Sequence, residues 1–340
     1  MRVLVTGSSG QIGTNLALGL QRDGHEVFGI DKRRNTWTDE FQYLLQDLAG
    51  HYAAFPGGIN GVEYPEVDVV VHLAAHAKVH QLVAEPHRAL ENLTMTFNML
   101  EFCRQQNLPF VFSSTREVYG DVHRFEGYAE ETADFAFTES PYSASKIASE
   151  AFIYSYARCY GLRYLAFRFS NVYGRYDNDL HRMTRVLPLF IHRTMRGEPV
   201  TVYGPDKVLD FTYVDDCVRG IARGIDAIVT GRVQNETINL AYGEGNTLVR
   251  AAELIATAVG VEPQIETAPA RLGEVTRYVA DIRKARDLLG WEPQTPLEDG
   301  IAKATAWFAE HRAAHPEEDR PVESEGAGAG WKTLAAAPAA

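Results

Sequence analysis

The 340-residue chain is short of cysteine, of positive charge and of long apolar runs. Its three cysteines, Cys103, Cys159 and Cys217, are too few and too scattered for a disulfide framework or a zinc site. All three sit among apolar neighbours, which predicts small buried hydrophobes. Basic residues number 33 against 45 acidic ones, a formal net charge of -12. Nucleic acid is therefore not expected as a partner, and any anionic ligand must be held by a local site. No stretch approaches the roughly 18 consecutive apolar residues of a membrane-spanning helix. No internal repeat is present. The chain opens on a strand-like run, Met1 to Val5, with no signal peptide ahead of it, so a reducing cytoplasm is the expected location.

What remains is ordinary globular composition, 45% hydrophobic and 23% charged, which excludes a disordered chain, a coiled coil or a collagen-like fibre. The length fits one large or two closely joined domains. Val3 to Val5 are β-formers, and the Gly-rich stretch Gly7-Ser8-Ser9-Gly10-Gln11-Ile12-Gly13 follows them. Ile12, Leu16, Leu18 and Leu20 then sit on a helical stretch ending near Gly24, and a second apolar run, Val27 to Ile30, closes on Asp31. That is a strand–helix–strand unit of about 30 residues, long enough for a parallel crossover. Further apolar runs at Val67–Leu73, Phe110–Ser113 and Tyr164–Phe169 alternate with helical patterns at Ala89–Gln105 and Tyr142–Tyr160. The alternation predicts an α/β fold, a Rossmann-type doubly wound parallel sheet. After about Asn171 loops lengthen and prolines multiply, which predicts a smaller, interleaved C-terminal substrate domain. The expected boundaries are 1–170 for the dinucleotide-binding domain, with returning segments at about 206–242; 171–310 for the substrate domain; and 311–340 for a disordered tail rich in Ala, Glu, Gly and Pro.

Gly7, Gly10 and Gly13 stand between a strand and a helix. Glycine lets the backbone approach a pyrophosphate, and the helix amino terminus offers free N–H groups and partial positive charge. Asp31, 18 residues after Gly13, suits a ribose diol and repels a 2′-phosphate, so NAD is the expected cofactor. The run Lys32-Arg33-Arg34 reads either as a solvated surface turn or as a 2′-phosphate grip. Asp47-Leu48 reads either as an adenine contact or as a helix cap. Tyr142 and Lys146 are four apart on a helical pattern, hence on one face. A nearby ammonium lowers a phenol whose pKa is about 10 in water, making tyrosine a general base for a sugar hydroxyl. His72 and His76 lack a carboxylate at metal-ligand spacing, so no metal is expected and His72 reads as structural. Phe152, Tyr156 and Tyr160 recur every fourth residue, which predicts core or dimer-face packing.

Taken in order, these residues resemble an extended short-chain dehydrogenase/reductase of the nucleotide-sugar epimerase/dehydratase group. The resemblance rests on Thr6 to Gly13, Asp31, His72-Leu73-Ala74-Ala75, Asn92, Ser113 to Gly120, Tyr142-Ser143-Ala144-Ser145-Lys146, Arg168 to Gly174, Asp210 to Asp216 and Arg271-Leu272-Gly273-Glu274. It implies cofactor contacts from Gly7, Gly10, Gln11, Ile12, Gly13, Asp31, Lys32, Asp47, Leu48, Leu73, Ala74, Ala75, Asn92, Ser113, Tyr142 and Lys146. It implies Tyr142 as base, Lys146 as its partner and Thr115 as a hydrogen-bonding hydroxyl. Asn171, Tyr203, Arg271 and Glu274 would hold the sugar nucleotide. Dehydratases of the group carry Thr-Asp-Glu where this chain has Thr115-Arg116-Glu117, so Arg116 speaks against a dehydratase. UDP-glucuronate decarboxylases carry Thr-Ser-Glu, so Glu117 keeps that alternative open. Arg116 either pairs with a substrate carboxylate or faces away toward Glu117 or solvent. Leu209 replaces the group's usual arginine, and Lys207, Arg182 or Arg185 would carry that charge beside Leu187 and Arg271. The leading expectation is an NAD-dependent 4-epimerase acting on a nucleotide sugar as a homodimer. A keto-sugar reductase and a non-catalytic dinucleotide sensor are the remaining alternatives.

Overall fold

A computed structural model describes residues 1–50, 54–55, 58–59, 61–120, 138–177, 185–270 and 275–316. The first half runs β1 (Arg2–Thr6), α1 (Gln11–Arg22), β2 (Glu26–Asp31), β3 (Gln42–Leu45), three short antiparallel strands β4 (Ala54–Phe55), β5 (Gly58–Ile59) and β6 (Val62–Glu63), then β7 (Val69–His72), α2 (Val79–Ala84), α3 (His87–Gln106), β8 (Phe110–Thr115), α4 (Pro141–Tyr160) and β9 (Tyr164–Phe169). The second half runs β10 (Asn171–Tyr173), α5 (Val186–Met195), β11 (Val200–Tyr203), β12 (Val208–Tyr213), α6 (Val214–Val229), β13 (Glu236–Leu240), β14 (Gly245–Thr247), α7 (Leu248–Val259), β15 (Ile265–Ala268), α8 (Arg283–Leu289) and α9 (Leu297–Ala314).

Seven strands form the main sheet, in the order β13-β9-β8-β7-β1-β2-β3, every neighbouring pair parallel. Helices cover both faces, so the inner strands read as unbroken apolar runs: Val3, Val5, Val69, Val70 and Val71 are fully buried. Each such side chain contributes about 1.5–3 kcal/mol. One core lies under α3 and α4 and includes Met99, Phe110 and Ile153. The other lies under α1 and α6 and continues into the second half, joining Leu16 and Phe167 to Phe190, Val202 and Ile301. The chain lays down β2 and β3 on one side of β1 and β7 on the other, so a crevice opens between the carboxyl ends of β1 and β7.

The interleaving takes a specific form. Within the returning segment, α6 packs against α1 and β13 completes the main sheet beside β9, but β12 pairs with β10 and β14 in a separate small sheet. β11 pairs with β15. α9 continues to Ala314, so the boundary expected at 311 falls inside its last turn. Cys103 and Cys217 are buried, but Cys159 is exposed, because it lies on the outer face of α4 beside the exposed Tyr160. Phe152 is also exposed, while Tyr156 turns inward. Among the described residues no helix is long and apolar enough to cross a membrane.

Candidate active site

At the carboxyl end of β1 the chain must turn at once into α1. Gly7 does so with φ +71°, a left-handed conformation. A Cβ on Gly13 would lie 2.1 Å from the Gly7 carbonyl oxygen, so the helix approaches the turn as closely as backbone permits. Gly10 differs: a Cβ there would meet nothing nearer than that oxygen, at 3.3 Å, and would project into the cleft. Gln11 opens α1, its Nε2 buried without a hydrogen-bond partner. A cradle that a methyl would fill, beside an orphaned amide at a helix amino terminus, fits the pyrophosphate of a dinucleotide. Asp31 ends β2 nearly buried, held by the Ser9 and Arg33 amides, each donating at 3.0 Å.

The cleft extending from this turn encloses about 640 Å³. Its wall includes Gly7, Gly10, Gln11, Ile12, Gly13, Asp31, Lys32, Asp47, Leu48, Leu73, Ala74, Ala75, Ser113, Thr115, Arg116, Glu117, Tyr142, Lys146, Asn171 and Leu187. Lys32 and Arg33 belong to this wall and not to a turn facing bulk water alone; the Lys32 Nζ stands 3.3 Å from His76 Nε2. Asp47 lines the cleft and accepts from the Ala49 amide at 2.9 Å, a turn contact and not a helix cap, because residues 48–50 form a turn.

Three expected residues lie elsewhere. Asn92 is buried behind the wall, where it accepts from the His76 amide at 2.7 Å and donates to Ser145 Oγ at 3.2 Å, tying the loop after β7 to α4. Leu209 is part of the hydrophobic core, a position no charged diphosphate ligand could share. Tyr203 sits on β11, outside the cleft wall. Arg182, Arg271 and Glu274 lie outside the described residues.

The other end of the cleft is assembled by α4 and β8. Ser140 caps α4: the Ser143 amide donates to its Oγ at 3.2 Å and the Ser140 amide donates to Ser143 Oγ at 3.1 Å, with Pro141 as the first helical residue. That start fixes Tyr142 in the first turn and Lys146 one turn on. Thr115 and Tyr142 both line the cleft, with the Thr115 hydroxyl near enough to the phenol to favour its ionisation. Lys146 Nζ donates to the Ser113 carbonyl at 2.7 Å. The expected lowering of the phenol by Lys146 is not what this arrangement does. Burial and the Glu117 carboxylate push Tyr142 up to about 12, and Thr115, Arg185 and Arg116 offset them in part. Burial in turn draws Lys146 down to about 7.

Arg116 does turn to Glu117, with Nη2 to Oε1 at 3.0 Å; Glu117 is buried and Arg116 is partly buried. The same nitrogen donates to Asn171 Oδ1 at 3.3 Å, and Arg116 Nη1 is buried with no hydrogen-bond partner. Asn171 donates to the Asp210 carbonyl at 2.9 Å. The Asp210 carboxylate, fully buried and pushed up to about 6 by that burial, accepts from the Tyr242, Gly243 and Ala280 amides. His72 is structural, bonded to Thr6 Oγ1 at 2.7 Å and stacked on Phe110 and Phe112. Among the described residues no group of three His, Cys, Asp or Glu could hold a metal ion.

Arg185, Asp177, Ser170 and the run Ala77–Gln81 also line the cleft. Arg185 bonds Gln11 Oε1 across 174 residues and pairs with Asp177 at 3.4 Å, bridging the two halves. Its sequence neighbourhood carries no signal of this. The sequence does not single out the run Ala77–Gln81; its position just after Leu73-Ala74-Ala75, off a sheet strand, is the signal that could have found it.

Comparison with known proteins agrees with this geometry. The model of the NAD dependent epimerase/dehydratase family matches residues 3–241. UDP-glucuronic acid decarboxylase 1 of Danio rerio is 32% identical over 329 residues, covering 92% of this chain and 74% of that protein. The structure of UDP-glucose 4-epimerase from Thermotoga maritima with UDP-glucose is 29% identical with a TM-score of 0.81, covering 92% of this chain and 99% of that one. That of the Thermus thermophilus UDP-glucose 4-epimerase complexed with NAD is 30% identical with a TM-score of 0.78, covering 91% and 99%.

Proposed function

The chain belongs to the NAD dependent epimerase/dehydratase family, and we propose that it inverts a hydroxyl-bearing carbon, carbon 4 first among them, of a nucleotide sugar. The observation that carries this reading is the Thr115–Tyr142 hydroxyl pair at the sugar end of the cleft, with Lys146 one turn behind it. Gly7, Gly10, Gln11, Gly13 and Asp31 would hold NAD, which supplies the acceptor and then the donor of hydride at the reacting carbon. Tyr142 takes the proton of the sugar hydroxyl, holds it while the sugar is a ketone, and returns it once the opposite face is presented. Thr115 shares a hydrogen bond with that oxygen, and α5, through Leu187, closes one wall. Glu117 is engaged by Arg116, so the ketone meets no unpaired acid there.

One observation favours a second reading. Arg116 carries a buried, unpartnered Nη1 beside Glu117, and a guanidinium in that state suits the carboxylate of a nucleotide-linked uronic acid. Glu117 would then assist loss of carbon dioxide from the keto sugar, the activity named for the Danio rerio relative. Proton NMR of the protein with NAD⁺ and, separately, UDP-glucose, UDP-N-acetylglucosamine and UDP-glucuronic acid decides. A mixture of 4-epimers with carbon conserved supports the epimerase. Conversion of the uronic acid to a pentose supports the second reading, and silence on all three overturns both for UDP sugars. We also propose pairing of two copies through α3 and α4, where Leu90, Phe152 and Tyr160 are exposed; sedimentation at monomer mass would exclude it.

A further inference from the structure

Beneath the Tyr142–Lys146 pair lies a buried ion pair that the chemistry above does not use. Glu150 is 3% exposed and Arg168 2%. Arg168 grips both carboxylate oxygens, Nε to Oε1 at 3.0 Å and Nη2 to Oε2 at 2.7 Å. Ser114 Oγ donates to Oε1 at 2.5 Å and the Tyr154 hydroxyl to Oε2 at 2.8 Å. Replacing such a desolvated pair by apolar residues of equal volume is often neutral or stabilising, so stability alone does not account for it.

Its placement does. Tyr142, Lys146 and Glu150 follow one another every fourth residue along one face of α4. Each lies by one of three consecutive residues of β8: Thr115 is near Tyr142, Ser113 accepts from Lys146, and Ser114 donates to Glu150. Arg168, from β9, locks the third of these contacts. We propose that Glu150, gripped by Arg168, is a positioning residue that sets α4 on β8 and turns its negative charge toward the face of α4 that carries Lys146. The inference rests on the roles given to Tyr142 and Lys146 above.

The groups facing Lys146 are Glu150 from α4, the Ser113 carbonyl and Phe112 ring from β8, and His72 from β7, with Arg168 reaching it through Glu150 and Tyr142 one turn earlier on the same helix. His72 is neutral, because burial and Lys146 itself lower it to about 3. The Glu150 carboxylate opposes the fall that burial imposes on Lys146.

The Lys146 titration can be followed directly by side-chain NMR shifts in ¹³C-lysine-labelled, NAD-loaded full-length protein, assigned by the signal lost in Lys146→Met. In Glu150→Gln the midpoint should fall by about one pH unit. Glu150→Asp should restore most of it. Because Glu150→Gln strands a buried guanidinium, the double variant Glu150→Gln/Arg168→Met, which orphans no charge, is measured beside it and should show a smaller fall in the same direction, since the opposing cation goes with the anion. An unchanged midpoint in either folded variant overturns the proposal and leaves the pair a brace. The readout needs no substrate, so a protein silent on every nucleotide sugar breaks the functional reading without obscuring this result.

Discussion

At the end of the cleft proposed to hold the cofactor, Gly7, Gly10, Gln11 and Gly13 come from one seven-residue stretch, whereas at the end proposed to hold the sugar Thr115, Tyr142, Asn171 and Arg185 come from segments spread over 70 residues. The first end is specified by backbone sterics: a Cβ on Gly13 collides with a carbonyl oxygen whatever surrounds it. The second is specified by tertiary packing: the Ser140 cap that starts α4, the Asn171 contact to the β12 backbone, and Arg185 reaching back to Gln11. A site built in this way keeps its hydride chemistry constant while its sugar chemistry can be changed by single side chains, which is how one fold serves epimerases and decarboxylases.

The largest expected effect tests where the two ends meet. Tyr142→Phe removes the one group able to take the hydroxyl proton in this reading, so turnover should fall by about 1000-fold. Bound NAD, read by absorbance and by release on denaturation, should stay at the wild-type level, because the turn at the other end is untouched. Normal turnover in this variant would break the division of labour between the ends.

A paired substitution within the turn sharpens the comparison. Gly13→Ala should destabilise the protein by about 2–3 kcal/mol in urea unfolding and strip it of NAD, since backbone must move to admit the methyl. Gly10→Ala meets only one atom, at 3.3 Å. It should change stability by less than about 1 kcal/mol yet weaken NAD binding about tenfold, the equivalent of one lost hydrogen bond to phosphate. Equal destabilisation by both would mean that the protein, not the ligand, demands all three glycines.

The same contrast explains what could be read from the sequence. The parallel sheet was legible because strands buried on both faces leave unbroken Val, Leu and Phe runs, and the turn because its chemistry is written in consecutive residues. Tyr142 and Lys146 were legible as a pair, since four residues on a helix always share a face. Their ionisation was not: it depends on burial and on Glu117, Arg116 and Arg185, none of which is a helical neighbour of Tyr142. Leu209 and Tyr203 lie on small-sheet strands whose orientation depends on partners far along the chain, Asn246 for one and Ala268 for the other. Asn92 follows the motif order of the resemblance, yet its amide is spent on the protein's own loop. Arg185 is one of three cations expected to make up for Leu209, but its contact with Gln11 was not legible, and Glu150 carries no local mark because its meaning is a contact with Arg168.

The smallest expected effect separates the two regions by pH. His72, buried among β7 and β8, titrates at about 3 in the folded chain against 6.5 when free, so the unfolded chain binds the extra proton between those values. Its contribution to stability is complete above pH 6.5 and is lost as pH falls toward 3, about 2 kcal/mol of it by pH 5. Asp210 runs the other way. Its folded pKa of about 6 lies above the free value of 3.8, so the folded chain takes up the proton first and the region around β12 gains about 1 kcal/mol between pH 7 and 5. Hydrogen exchange at the two pH values, corrected for intrinsic rates, should therefore show the amides of β7 and β8 losing protection while those of Tyr242, Gly243 and Ala280, which bond the Asp210 carboxylate, lose less. His72→Gln should flatten the first response and leave the second alone. A uniform loss across both regions would mean that the halves unfold as one cooperative unit, as the core they share allows.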